Sequence, residues 1–153
     1  MYYSGQEIIG IALRIEENGN AFYNAAAERV KESTDTRNLF LDLAEKEITH
    51  IAIFQKLASK FEAEDFDFDA EEASAYIQNL ADQHIFGKPE AGVNLASTVK
   101  TPKEALEIAY KFENDSVAFY TELEKRAKSD AKSLIRQIIG EEMQHADEIC
   151  GFM

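Results

Sequence analysis

Two short segments carry the first chemical signal: Glu47-Ile48-Thr49-His50 and Glu142-Met143-Gln144-His145. Residues three apart on a helix lie one turn along and about 60° around, so each Glu and its His can reach a common point. The neighbouring residues say which way they face. Leu43, Glu47, His50, Phe54 and Leu57 recur at helical spacing, as do Ile135, Ile138, Glu142, His145 and Ile149. Each set reads as an inward apolar seam interrupted by one acid and one imidazole. Two more acids share such faces: Glu16 with Ile9 and Tyr23, and Glu113 with Leu106 and Tyr120.

The pattern is duplicated. The stretch IEENGNAFY ending at Tyr23 returns as FENDSVAFY ending at Tyr120, offset by 97 residues (16 to 113, 23 to 120). The E-x-x-H turns repeat with an offset of 95 (47 to 142, 50 to 145). Two of the three histidines therefore occupy equivalent places in two halves of one plan. Tyr23 and Tyr120 read first as core tyrosines. A role in hydrogen-bonding the ligating carboxylates stands level with that reading.

Charge dictates what such a set can do. Four ionised carboxylates buried without counter-charge are very costly, and two divalent cations cancel four negative charges. Carboxylate oxygens with one imidazole per metal suit iron or manganese, with zinc as a third choice. The expected ligands are Glu16, Glu47, His50, Glu113, Glu142 and His145. Carboxylates that bridge two metals keep them close enough to exchange two electrons with oxygen or peroxide, so a dinuclear redox centre is the natural reading. Glu17, Glu45 and Glu141 neighbour these residues and read as solvated, as does His84.

The elements that position these residues are legible as four long helices. Glycine (7) and proline (2) are scarce among 153 residues, which disfavours a turn-rich β fold. Ser4-x-x-Glu7 has the capping-box form and opens a helix over about 4–31. A second is expected over about 36–61. Thr101-Pro102-Lys103-Glu104 opens a third over about 102–128, and Ser129 or Asp130 caps a fourth over about 130–150. The connections within each pair are short, so each pair forms an antiparallel hairpin. The crossover, 62–101, includes an acidic run, a short helix capped by Asp69 or Glu72 and ending near Gln83, and a loop over 84–100. A crossover of that length lets the chain travel the length of the bundle. The expectation is an all-α, single-domain, ferritin-like four-helix bundle of two hairpins spanning 1–153.

Composition limits the partners. The net charge of −13 repels nucleic acid and anionic lipid, while leaving a basic protein free to dock. The single cysteine, Cys150, can form neither an internal disulfide nor a CxxC knuckle and reads as a small filler in the last helical turn. The first residues show neither a basic segment nor a sustained apolar run. No signal peptide or membrane span is expected, and the cytoplasm is the default location.

The acids Glu16 and Glu113 on one helix pair, with the two E-x-x-H turns on the other, resemble the ferritin-like di-iron carboxylate proteins. The segments EENGNAFY and LAEKEITHIAIF look most like the rubrerythrin branch. The resemblance covers roughly 5–61 and 102–150. It implies two iron ions, with Glu16 and Glu113 as terminal ligands, Glu47 and Glu142 as bridges, and one histidine per iron. It also implies peroxide reduction or oxygen-driven iron oxidation, and a homo-oligomer, with a dimer favoured. Rubrerythrins usually add a rubredoxin domain with four iron-binding cysteines; with one cysteine here, electrons are expected from a separate donor protein. Many also carry an extra glutamate one turn after the third-helix ligand, where this sequence has Ser116, with Gly19 as its copy. The alternatives to a peroxide reductase are an iron-oxidising or storage protein and a bundle whose metal is structural or sensory.

Overall fold

A computed structural model describes residues 3–59, 66–67 and 71–153. The helices are α1 (Gly5–Arg29), α2 (Thr34–Ser59), α3 (Glu71–Gln83), α4 (Ala91–Ala96), α5 (Pro102–Arg126) and α6 (Ser129–Cys150). No strand occurs among the described residues; one isolated antiparallel bridge joins Phe66 to Ala127. This is the all-α bundle of two hairpins expected from the sequence. No described helix is long and apolar enough to cross a membrane.

Local signals set the helix ends. Ser4 Oγ accepts from the Glu7 amide while the Glu7 carboxylate accepts from the Ser4 amide, completing the capping box. Thr101 caps α5 by accepting from the Glu104 amide, with Pro102 at the first helical position. Other boundaries fall within two residues of expectation. α1 stops at Arg29, α2 begins at Thr34 and α5 stops at Arg126. The N-cap of α6 is Lys128 without a side-chain cap, so neither Ser129 nor Asp130 fills that role. Asp69 and the side chain of Glu72 lie outside what is described.

α1 packs along α2, and α5 along α6, whereas α1 with α5 and α2 with α6 approach closely at few places. The crossover runs the length of the bundle. Asp67 N–H, in the crossover, donates to Arg126 O at the end of α5 (2.7 Å). At the other end, Arg29 donates through Nε and Nη2 to Val99 O, just before α5 begins.

The expected loop over 84–100 is in fact folded against the bundle. It contains α4, which packs on α1, and the cause lies in Asn18. The Asn18 amide donates to Phe86 O and Lys88 O, both at 2.8 Å, and its oxygen accepts from Gly92 N–H. A Cβ at Gly92 would sit 2.1 Å from Asn18 O, so the backbones meet more closely than any larger residue allows. The duplicated position in α5, Asp115, accepts from Ile85 N–H. The segment 84–86 thereby fills the space between α1 and α5. Phe86 is fully buried and packs on Phe22 and Phe112, with ring centroids 5.3 and 4.8 Å away.

His84, expected in solvent, is buried in this plug. Its Nδ1 accepts from Phe86 N–H, so its Nε2 carries the proton and donates to Ser116 Oγ at 2.9 Å. Burial lowers its pKa to about 4, with the nearby Asp115 charge opposing. Cys150 also departs from expectation: it is exposed rather than filling the core.

Candidate metal centre

Midway along the bundle each long helix turns an acid inward. Glu16 on α1, Glu47 on α2, Glu113 on α5 and Glu142 on α6 are all fully buried, and His50 and His145 are nearly so. The apolar seams that carry them are buried as the spacing requires: Leu43 and Phe54 on α2, and Ile135, Ile138 and Ile149 on α6, are fully enclosed.

The six side chains form two overlapping groups. Ligand atoms of Glu16, Glu47, His50 and Glu142 lie within 4.8 Å of one another, as do those of Glu47, Glu113, Glu142 and His145. Glu47 and Glu142 belong to both. His50 Nδ1 stands 3.0 Å from Glu142, 3.4 Å from Glu16 and 3.5 Å from Glu47. His145 Nδ1 stands 3.5 Å from Glu142 and 3.6 Å from both Glu47 and Glu113. The two imidazoles stack nearly parallel, 5.9 Å apart.

These close approaches lack hydrogen-bond geometry. Both oxygens of Glu47 and of Glu142, Oε2 of Glu16 and of Glu113, and Nδ1 of both histidines are buried without a hydrogen-bond partner. So many orphaned donor and acceptor atoms around one point contradict the rule that buried polar groups are satisfied. A pair of divalent cations removes the contradiction, because the orphaned atoms are oxygen and imidazole nitrogen, the donors that iron, manganese and zinc accept.

Without metal the charges are in conflict. Burial, then the Glu142 charge, pushes the Glu47 and Glu113 carboxyls well above the usual range. Burial works the same way on Glu142, but the close approach of the His145 and His50 imidazoles outweighs it and holds its pKa at about 2. Burial disfavours the charged imidazoles too, yet the surrounding acids win: His145 is pushed up to about 12 and His50 is raised further.

The two tyrosines cross the bundle to hold the outer acids. Tyr23 on α1 donates to Glu113 on α5, and Tyr120 on α5 donates to Glu16 on α1. Burial, and then the charge of the acid each one bonds, pushes both phenols well above their ordinary pKa, so they remain donors. Gly19 has a packing role: a Cβ there would come within 2.5 Å of the Phe112 ring.

One contact went unread in the sequence. His50 Nε2 lies 2.7 Å from Oε2 of Glu141, an acid expected in solvent. Glu141 follows Glu142 directly, and its direction was not recoverable without knowing how far α2 and α6 stand apart. Glu17 and Glu45 are exposed, as expected. Between α2 and α6 a cleft of about 310 Å³ opens over the histidines, lined by Lys46, Thr49, His50, Glu141, Gln144 and His145.

The comparisons with known proteins agree with this arrangement. No curated protein matches the sequence. A crystal structure described as a ferritin-like diiron-carboxylate protein from Thermotoga maritima is similar, with a TM-score of 0.70 and 26% identity over 98% of this chain and 94% of that one. The rubrerythrin sequence model matches residues 7–148, from the first turn of α1 to the last of α6 and through both E-x-x-H turns. An agreement of that extent makes the chain a member of the rubrerythrin family.

Proposed function

We propose that Glu16, Glu47, His50, Glu113, Glu142 and His145 hold two iron ions, and that the protein reduces hydrogen peroxide with electrons from a separate redox protein. The observation that carries this reading is the set of buried, unpartnered oxygen and nitrogen atoms shared between two groups through Glu47 and Glu142. Two iron ions supply the two electrons that cleavage of hydrogen peroxide to two waters consumes, along with two protons.

The chain's own residues divide the remaining work. Glu47 and Glu142, which belong to both groups, would be shared by the two ions, and Glu16 and Glu113 would each serve one, oriented by Tyr120 and Tyr23. The plug of His84 and Phe86 closes the α1–α5 side. The α2–α6 cleft is then the route by which a small polar oxidant and protons reach the centre. The acidic surface favours a donor with a basic docking face, and a homodimer in the cytoplasm is the working assembly.

Two measurements test this. Mass-spectrometric metal analysis of untagged protein is expected to give two irons per chain. Stopped-flow mixing of the reduced iron form with peroxide is expected to give oxidation much faster than mixing with air-saturated buffer. Oxygen reacting fast while peroxide does not would replace this reading with an iron-oxidising protein.

A further inference from the structure

The two histidines are related by the duplication, but their surroundings differ. His50 turns Nδ1 to Glu16, Glu47 and Glu142 and sends Nε2 outward, 2.7 Å from Oε2 of Glu141. A carboxylate can only accept, so this contact keeps a proton on Nε2 and leaves Nδ1 as the nitrogen available to a metal. The Glu141 side chain is 38% exposed and reaches the ring from the cleft. The offset that carries His50 onto His145 (50 to 145) also carries Lys46 onto Glu141 (46 to 141). At the copied position, then, stands a cation that cannot accept a hydrogen bond. Lys46 is instead engaged with Asp42 at 3.0 Å and Glu148 at 3.7 Å. Among the described residues no carboxylate pairs with Nε2 of His145.

We infer that Glu141 is a positioning residue that makes the two metal positions unequal. The position at His50 binds metal more tightly, and with iron it holds the oxidised state at a lower potential, than the position at His145. The physical cause is general. A carboxylate behind a ligating imidazole fixes the ring and raises its basicity, and removing such a partner typically weakens metal binding roughly 10–100-fold. Each group offers three carboxylates and one imidazole, so the ligand types are equal and what stands behind the imidazole sets the two apart. The inference rests on reading the six residues as a dinuclear centre.

The test titrates metal-free, full-length protein with cobalt(II), followed by calorimetry and visible absorption. The unsubstituted protein is expected to take up two equivalents in two resolved steps. In Glu141→Ala the tighter step weakens roughly 10–100-fold while the weaker step holds. Glu141→Gln, whose amide oxygen still accepts from Nε2–H without the charge, falls between. In iron-loaded protein, a redox titration followed by electron paramagnetic resonance shows the two potentials drawing together in Glu141→Ala. Two cobalt steps unchanged by Glu141→Ala, or weakened equally, overturn the inference while leaving the dinuclear reading intact. An unsubstituted protein that takes up no cobalt overturns both.

Discussion

Tyr23 on α1 donates to Oε1 of Glu113 on α5 across the middle of the bundle, at 2.5 Å, and both residues are fully enclosed. The duplicated pair, Tyr120 and Glu16, repeats the bond in the opposite sense at the same length. The two bonds tie the hairpins together where α1 and α5 otherwise approach closely at few places. Removing the hydroxyl leaves a buried carboxylate oxygen with no donor, which costs more than the bond itself contributed. Tyr23→Phe and Tyr120→Phe are each expected to lower stability by about 1–3 kcal/mol in urea denaturation of the metal-free protein. A change within error in both would mean that these bonds do not hold the carboxylates.

Two helix-interior glycines, Gly19 and Gly140, behave oppositely. At Gly19 a new Cβ would meet Phe112 Cζ at 2.5 Å, and that ring is wedged between Tyr23 and Phe86. Gly19→Ala is expected to lose about 1–3 kcal/mol through overpacking, despite the gain in helix propensity. At Gly140, which is exposed, nothing lies within 4 Å of the added methyl, so Gly140→Ala is expected to gain up to about 1 kcal/mol. Paired denaturation curves with equal slopes decide both signs.

Which parts of this protein could be read from its sequence follows from the range of the interactions involved. The four long helices and the inward acids were legible because helical periodicity and capping are local, and because the duplication supplied each signal twice. The plug was not. His84, Phe86 and α4 are held by Asn18, Asp115 and Ser116, whose partners lie some 30 to 74 residues away and follow no period. The Glu141–His50 contact escaped for the same reason: it joins α2 to α6, 91 residues apart, across a cleft whose width no local pattern encodes. The centre was legible in its ligand types and not in what supports them.

His84 makes the plug sensitive to acid. Its pKa falls from 6.5 to about 4 on folding, chiefly through burial. A depressed folded-state value contributes stability that is present above pH 6.5 and lost as pH falls toward 4. Fully expressed, the difference is on the order of 3 kcal/mol. His84→Gln keeps an amide near Ser116 without a titrating group. The stability difference between wild-type and His84→Gln iron-loaded protein is expected to shift against wild type between pH 7 and pH 4, as measured by chemical denaturation. Parallel curves across that range would place His84 outside the pH response.

Metal removal is expected to invert the pH preference of the centre. In the metal-free protein Glu47 and Glu113 have raised pKa values, so the stability linked to their protonated forms is complete below about pH 4.5 and lost as pH rises through the raised values. His145, raised from 6.5 to about 12, contributes stability that is complete below pH 6.5 and is lost progressively above it. Glu142, lowered to about 2, acts in the other sense: its contribution is present above pH 4.5 and lost as pH falls toward 2. These groups outnumber His84, whose contribution declines below pH 6.5, so the metal-free protein is steadiest between about pH 4.5 and 6.5. Metal binding replaces the protons that the acids otherwise retain and therefore requires their ionised forms. The rise in melting temperature on adding iron(II) or cobalt(II) is accordingly expected to be small near pH 5 and large near pH 8. Scanning calorimetry of chelated and reloaded protein at the two pH values checks this. A metal-induced rise that is the same at both would show that the buried carboxylates do not titrate as their surroundings require.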